Sequence, residues 1–399
     1  MEISEKGKAI TPSVTLEISA KAKAMKAAGE RVYAFTAGEP DFNTPEFIID
    51  SAKKAMDEGK TKYTATSGIS ELKRAIADKF ARDNGLYYDE KNIVVSCGAK
   101  SSLFHAVTAI INQGDEVVLP APYWITYLEQ IKLAGGVAKI VNNSEKSGYK
   151  LIKEDLERAI TPKTKCLILN SPCNPTGVVY TKEELSEIAE VCERHGITVI
   201  SDEIYEKLVF DGYEHVSIAS ISDYMKENTI VINGVSKAFS MTGWRIGYLA
   251  APEKAAKAIA ALQGHTTSNP TTFAQYASVA ALSDKNGENF TSEMVKVFDE
   301  RRKALTSVLD AGGIKYVMPH GAFYVFCDVR EHIGKSYKGK TITGSVSFAD
   351  ALLNEGVAVI PGAAFGAEGF IRLAYTLSRE DIEKGAKKLC EFIKILKNN

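Results

Sequence analysis

Thr181-Lys182-Glu183-Glu184-Leu185-Ser186-Glu187-Ile188-Ala189-Glu190-Val191-Cys192-Glu193-Arg194-His195-Gly196-Ile197-Thr198-Val199-Ile200-Ser201-Asp202 reads as a helix running into a strand. Thr181 and Glu184 have the spacing of a capping box, which satisfies two free backbone N–H groups at a helix start. Leu185, Ile188, Ala189 and Cys192 recur at helical spacing, and Gly196 is placed to stop the helix. Thr198–Asp202 follows, with Ile197, Val199 and Ile200 close together before it ends on Asp202, as in a strand covered on both faces. Upstream, Cys166–Asn170 is a run of the same kind. Strand, helix and strand in this order imply a parallel pair with the helix packed on the sheet.

The same alternation extends in both directions. Further candidate strands are Ile93–Cys97, Glu116–Leu119, Val137–Val141, Thr229–Asn233 and Ile246–Ala251. Another apolar helix stripe is formed by Leu103, Val107, Ile110 and Ile111. The expected class is α/β, with a mainly parallel seven-stranded sheet sandwiched by helices. After residue 284 the texture changes to a long helix around Phe298–Leu309, then strands Ala322–Cys327, Val357–Pro361 and Phe370–Tyr375. A final helix carries Ile382, Ala386, Leu389, Ile393 and Leu396 at helical spacing. This part reads as a smaller α+β domain. The expected division is an N-terminal arm and small-domain segment over 1–45, a large domain over 46–283, and a small domain over 284–399.

Length and composition bound the function. A chain of 399 residues holds two or three domains at roughly 150 residues each. The 49 Lys+Arg nearly balance the 50 Asp+Glu, so the chain as a whole carries no electrostatic footprint for nucleic acid or an anionic membrane. No run of about 18 apolar residues reads as a membrane span. The Met1–Lys8 stretch lacks the apolar core of a signal peptide. The six cysteines are scattered without a C-x-x-C pair, which fits a reducing cytoplasm. The six histidines show no metal-binding spacing, so no metal is expected.

Four segments at strand ends carry chemistry, where open α/β sheets bind ligands. In Gly234-Val235-Ser236-Lys237-Ala238-Phe239-Ser240-Met241-Thr242-Gly243-Trp244-Arg245-Ile246-Gly247, Lys237 lies among small and apolar residues. Such surroundings lower an amine's pKa, as a Schiff-base nucleophile requires. Arg245 offers a fork of donors to a phosphate. Asp202 closes a buried strand, where an aspartate holds a cation or ring nitrogen, or simply caps a helix. Asn170-Ser171-Pro172-Cys173-Asn174-Pro175-Thr176-Gly177 is an unusual turn that aims Asn174. Cys97-Gly98-Ala99-Lys100-Ser101-Ser102 opens a helix, whose free N–H groups suit an anion. It is not a G-x-G-x-x-G fingerprint, which counts against a dinucleotide dehydrogenase.

Together these segments resemble the class I aminotransferases of pyridoxal-phosphate fold type I, nearest to the bacterial branch that uses aspartate or prephenate. The resemblance runs from about Pro12 to the final helix. It implies that Lys237 forms the internal aldimine with pyridoxal 5′-phosphate and, once freed, shuttles the proton from Cα. It implies that Asp202 pairs with the pyridine nitrogen, and that Tyr205 and Asn174 bond the ring's phenolic oxygen. Trp124, in Ala121-Pro122-Tyr123-Trp124, would stack on the ring. Arg245, Ser236 and the N–H groups of Ala99 and Lys100 would hold the phosphate. Tyr63 matches the tyrosine that reaches the neighbouring subunit's phosphate, which implies a homodimer with shared active sites. Arg372, in Phe370-Ile371-Arg372-Leu373-Ala374-Tyr375, matches the arginine that grips the substrate α-carboxylate, and Gly38 permits close backbone approach. Cys173 stands where the family usually has Asn.

For substrate, the resemblance points to aspartate or glutamate as donor and a 2-oxo acid such as 2-oxoglutarate as acceptor, in ping-pong order. Ile246 to Glu300 contains no Arg, so a distal-carboxylate arginine from the second subunit is not expected. Lys100, with Thr15 near the site, is the candidate in its place. The alternatives keep the cofactor and change the specificity to aromatic, alanine-type or prephenate, or change the reaction to C–S β-elimination. A regulator built on this fold would need an added DNA-binding domain, for which there is no room before Pro12.

Overall fold

The computed structural model describes residues 1–12 and 14–397. Its centre is a seven-stranded sheet built from β1 (Ile93–Ser96), β2 (Glu116–Ala121), β3 (Val137–Asn142), β4 (Thr164–Asn170), β5 (Thr198–Asp202), β6 (Thr229–Gly234) and β7 (Gly247–Ala250). The spatial order is β1-β7-β6-β5-β4-β2-β3. All seven strands lie where the apolar runs place them, within a few residues. Pairs β2/β3, β2/β4, β4/β5 and β5/β6 are parallel, whereas β7 runs antiparallel to both of its neighbours. A parallel return needs a crossover of a dozen or more residues, usually helical. The Val235–Ile246 connection holds only the short turn Thr242–Trp244. The chain comes back beside β6 in the opposite direction, and that connection carries Lys237 and Arg245.

Both faces of the sheet are buried. Ile230 and Ile232 point into one core with Leu103 and Val107 of helix α1 (Ala99–Ile110), whereas Val231 between them joins the other face with Val95 and Tyr248. Helix α2 (Ile125–Ala134) follows β2. Leu167, Leu169 and Val199 meet Leu185, Ile188 and Cys192 of α3 (Lys182–His195). The α3 capping box forms: the Thr181 hydroxyl accepts from the Glu184 N–H at 3.3 Å, and Glu184 accepts from the Thr181 N–H at 2.8 Å. Gly196 ends the helix at φ 66°. A cap of this kind stabilises by about 1 kcal/mol.

The long helix α4 (Lys285–Ala311) leads to a second, antiparallel sheet. Its strands are β8 (Tyr316–Val317), β9 (Tyr324–Asp328), β10 (Ile360–Pro361) and β11 (Phe370–Ala374), in the order β10-β11-β9-β8. The Ala322–Cys327 run forms its strand two residues later, because Ala322 sits at φ 56° and cannot extend the ladder. Helix α5 (Arg379–Lys397) covers this part with Ile382, Ala386, Leu389, Ile393 and Leu396 buried. Tyr33–Ala34 pairs in parallel with Val357–Ala358, which ties the N-terminal segment to this half. Among the described residues no helix is long and apolar enough to cross a membrane.

One ion pair inside the fold sits next to Tyr205. Lys79 and Glu206 are bonded to each other with side chains 2% and 6% exposed. Asn84 accepts from Lys79 at 2.8 Å and donates to Glu206 at 3.2 Å. Burial raises the Glu206 carboxyl, but Lys79, His215 and Lys207 outweigh it and hold it at about 2. A carboxylate depressed on folding contributes stability above its ordinary value near 4.5, and that stability is lost as pH falls from there toward 2. Glu206→Gln leaves Lys79 charged and unpaired, and is expected to destabilise the fold by about 3–5 kcal/mol at neutral pH. Denaturant unfolding of both proteins at pH 7 and pH 3 checks this. A wild-type advantage of equal size at both values contradicts it.

Candidate active site

A cavity of about 330 Å³ opens beyond the carboxyl ends of β4 and β5, between the two sheets. Twelve of the thirteen residues expected at the site line it: Thr15, Gly38, Ala99, Lys100, Trp124, Asn174, Asp202, Tyr205, Ser236, Lys237, Arg245 and Arg372. Tyr63 does not. Its side chain is 91% exposed, on the surface of the single chain. Larger hollows of about 560 and 630 Å³ lie elsewhere, but Lys91 and Glu253 in one, and Lys79 and Glu206 in the other, pair with each other.

Asp202 ends β5 and is buried. Its carboxylate accepts from the Tyr127 hydroxyl at 2.8 Å and from the Ile204 N–H at 3.3 Å. Burial raises this carboxyl to about 6, with both hydrogen bonds and Lys237 pulling the other way. An anion kept here awaits a partner with an N–H or a positive charge. Asn170 ends β4 directly beside it. The Asn170 amide donates to the Asp202 carbonyl at 2.8 Å, and its side-chain oxygen accepts from the Asn174 N–H at 2.8 Å. One side chain thus fastens the Asn174 turn to the Asp202 strand.

Lys237 reaches across the cavity and donates to the Gly38 carbonyl at 2.6 Å. Burial lowers its pKa to about 8; Glu39 opposes this, while Arg245 and Arg372 reinforce it. A large fraction of the amine is therefore neutral and nucleophilic near pH 8. Lys100 is lowered in the same way, by burial and then by Arg245, and its Nζ lies 4.8 Å from the centre of the Trp124 ring.

At the other end, Arg245 adopts φ 56° after the Thr242–Trp244 turn and donates to the Thr242 carbonyl at 2.9 Å. It passes over Gly98, where any Cβ would lie 2.4 Å from Nη2. Gly98 has φ 87° and precedes the first turn of α1, whose leading N–H groups have no acceptor within the helix. A guanidinium above a helix start makes a cup for a phosphate-like anion.

Arg372 enters from β11 and is only 3% exposed. It donates to Asn174 Oδ1 and to the Thr36 carbonyl, both at 3.0 Å. Its Nε is buried without a partner. Arg372 lines the cavity, and a buried guanidinium there suits a carboxylate ligand. Tyr127, Asn170, Ile204, Thr242 and Tyr324 complete the lining, and sequence reasoning missed all five. Asn170 opens the Asn174 turn and Tyr127 lies three residues after Trp124, so both had a nearby signal. Tyr324, inside a plain apolar strand, had none.

The arrangement combines a nucleophilic amine, a buried carboxylate, an anion cup and a second anion clamp. The family described as aminotransferase class I and II matches residues 30–389. The chain is 49% identical over 393 residues to an aspartate aminotransferase of Bacillus sp. (strain YM-2), covering 97% of this chain and 98% of the relative. It is 47% identical over 382 residues to a probable aspartate/prephenate aminotransferase of Aquifex aeolicus, covering 95% of each. Among solved structures, the aspartate aminotransferase of Thermus thermophilus with maleate superposes with a TM-score of 0.93 at 40% identity, over 98% of this chain and 99% of that one.

Proposed function

The chain belongs to the class I and II aminotransferases and is an aminotransferase, and from that premise we propose that it moves the amino group of L-aspartate or L-glutamate to a 2-oxo acid such as 2-oxoglutarate, with pyridoxal 5′-phosphate as cofactor. Its fold is type I of the pyridoxal-phosphate enzymes. The observation that carries the reading is the convergence of Lys237, Asp202 and Arg372 on one cavity. The residues present fit the cofactor. Asp202 suits a protonated ring nitrogen, the Gly98–Arg245 cup suits the phosphate, and burial lowers the Lys237 amine to about 8. When bound, the cofactor supplies an electron sink for the pair left at the substrate Cα.

The chain's own residues do the rest. Asp202 keeps the ring nitrogen charged. Tyr205 and Asn174 would hold the phenolic oxygen, and Trp124 would cover the ring. Ser236, Arg245 and the N–H groups of Ala99 and Lys100 hold the phosphate. Arg372 clamps the α-carboxylate and so fixes the direction of the Cα–H bond. Gly38 lets the backbone close over the bound amino acid. With the cofactor bound, the Lys237 amine would take the proton from the substrate Cα and hold it for return on the cofactor side. The two substrates are then processed in turn. Tyr63 fits a second copy whose phosphate it reaches, in a homodimer with shared sites. The division into 1–45, 46–283 and 284–399 puts Gly38 and Arg372 in one unit and Lys237 in the other. Six dispersed thiols suit the cytoplasm.

Lys100, with Thr15 lining the same cavity, supplies the charge for a distal carboxylate. Lys100→Ala is expected to lower kcat/KM for L-aspartate by about 1.5–3 kcal/mol, roughly 10- to 150-fold, and to leave L-alanine nearly unchanged. The test is the visible spectrum of the loaded protein after adding L-aspartate, L-glutamate, L-phenylalanine or L-alanine separately, with prephenate as a second acceptor. A band that responds to phenylalanine or alanine and ignores aspartate discards the dicarboxylate reading.

A further inference from the structure

Tyr205 and Tyr324 meet hydroxyl to hydroxyl at 2.8 Å, with rings 5.7 Å apart and edge to face. Both are buried. Tyr205 follows β5 in the large sheet, and Tyr324 begins β9 in the second sheet, so this bond spans the two layers. In the β9/β11 register Tyr324 is opposite Ala374 and Phe326 is opposite Arg372. Residues two apart share a face, so Tyr324 and Arg372 are diagonal neighbours on one surface. The Arg372 guanidinium lies 4.4 Å from the centre of the Tyr324 ring. The Tyr324 oxygen is also 2.9 Å from where a Cβ on Gly38 would stand.

Each phenol owns one proton, so only one of the two can donate in their shared bond. If Tyr205 donates, its proton is used up on Tyr324. If Tyr324 donates, the Tyr205 proton is free to point elsewhere. The charged groups facing the pair are Arg372, Lys237 and Asp202. Arg372 stacks on Tyr324 and favours that phenol as the donor. Burial raises both phenols and Arg372 draws both down, but the shared bond lowers Tyr324 and raises Tyr205, and Asp202 pushes Tyr205 further up.

We propose that Tyr324 is a positioning residue: its hydroxyl donates to Tyr205 and thereby turns the Tyr205 proton toward the cavity, onto the ring oxygen of the bound cofactor. This rests on the reading of Tyr205 as the partner of that oxygen. It makes the layer that carries the carboxylate clamp Arg372 also the layer that orients the large sheet's tyrosine. It also explains why position 38 needs glycine: any side chain there would displace the Tyr324 hydroxyl.

The test uses the full chain loaded with pyridoxal 5′-phosphate, as wild type, Tyr324→Phe, Tyr205→Phe and the double variant. The readout is the pH midpoint at which the visible band changes, together with cofactor affinity. A hydrogen bond given to the ring oxygen stabilises its negative charge most when the neighbouring nitrogen has lost its proton, so weakening that bond raises the midpoint. Tyr324→Phe keeps the ring on Arg372 and removes only the hydroxyl. It is expected to raise the midpoint by about 0.5–1 pH unit, the worth of one neutral hydrogen bond. Tyr205→Phe should raise it further, and the double variant should match Tyr205→Phe alone. An unchanged midpoint in Tyr324→Phe, or a double variant in which the two shifts add, overturns the proposal and leaves the cofactor reading standing. A wild-type chain that develops no band overturns both.

Discussion

Lys237→Ala is expected to lower kcat by about 10⁴-fold or more, close to 5.5 kcal/mol of barrier, while the folded protein still binds pyridoxal 5′-phosphate. The size follows from two roles placed on one amine. Lys237 is the nucleophile that holds the cofactor and the base that carries the Cα proton, so its loss removes both roles at once. The other amine on the cavity, Lys100, lies over Trp124, with its Nζ 4.8 Å from the ring centre. Cofactor retention is expected because Asp202 and the Gly98–Arg245 cup are held by groups other than the lysine, Tyr127 and the Thr242 carbonyl among them. Stability should change little. The amine is destabilised by burial, and its removal costs one hydrogen bond to the Gly38 carbonyl. Steady-state turnover with L-aspartate and 2-oxoglutarate, alongside cofactor titration, measures both effects. Sustained turnover within 100-fold of wild type would show that another group carries the proton.

Arg372→Leu is expected to reduce kcat/KM for every amino acid substrate by about 2–5 kcal/mol, roughly 30- to 5,000-fold. The guanidinium is pre-placed: Asn174 and the Thr36 carbonyl occupy two of its nitrogens, and the rings of Tyr324 and Phe365 lie 4.4 and 5.1 Å from its carbon. Little ordering remains when a carboxylate arrives, so most of the charge-assisted bonding appears as affinity and orientation. The effect should fall on aspartate and alanine alike, because each carries an α-carboxylate. That separates Arg372 from Lys100, whose loss is expected to spare alanine. A deficit confined to dicarboxylates in Arg372→Leu would exchange the two assignments.

The strands of the central sheet were legible because each is a short apolar run bounded by turn residues, and α3 because its cap, stripe and stop all lie within sixteen residues. The segments at Lys237, Asp202, Asn174 and Gly98 were legible for a related reason. In an α/β sheet the chemistry follows strand ends, and each of these segments directly follows an apolar run. Tyr127 and Asn170 were within reach of the same logic, since each lies beside a motif already marked. Tyr324 was not. Its neighbours in sequence are core residues of β9, and its meaning comes from Tyr205 and Arg372, 119 and 48 positions away.

Local sequence thus settles which segments are strands and helices, and which side chains stand at strand ends, because burial pattern and capping act over a few residues. Neither the reversed direction of β7 nor the meeting of the two sheets around one cavity is written in any single segment. The proton order of the Tyr205–Tyr324 pair, the unpaired Arg372 Nε and the lowered Lys237 amine arise only when groups far apart in the chain are buried together. There, burial sets the energy of each charge and a neighbour from another element decides where the proton goes.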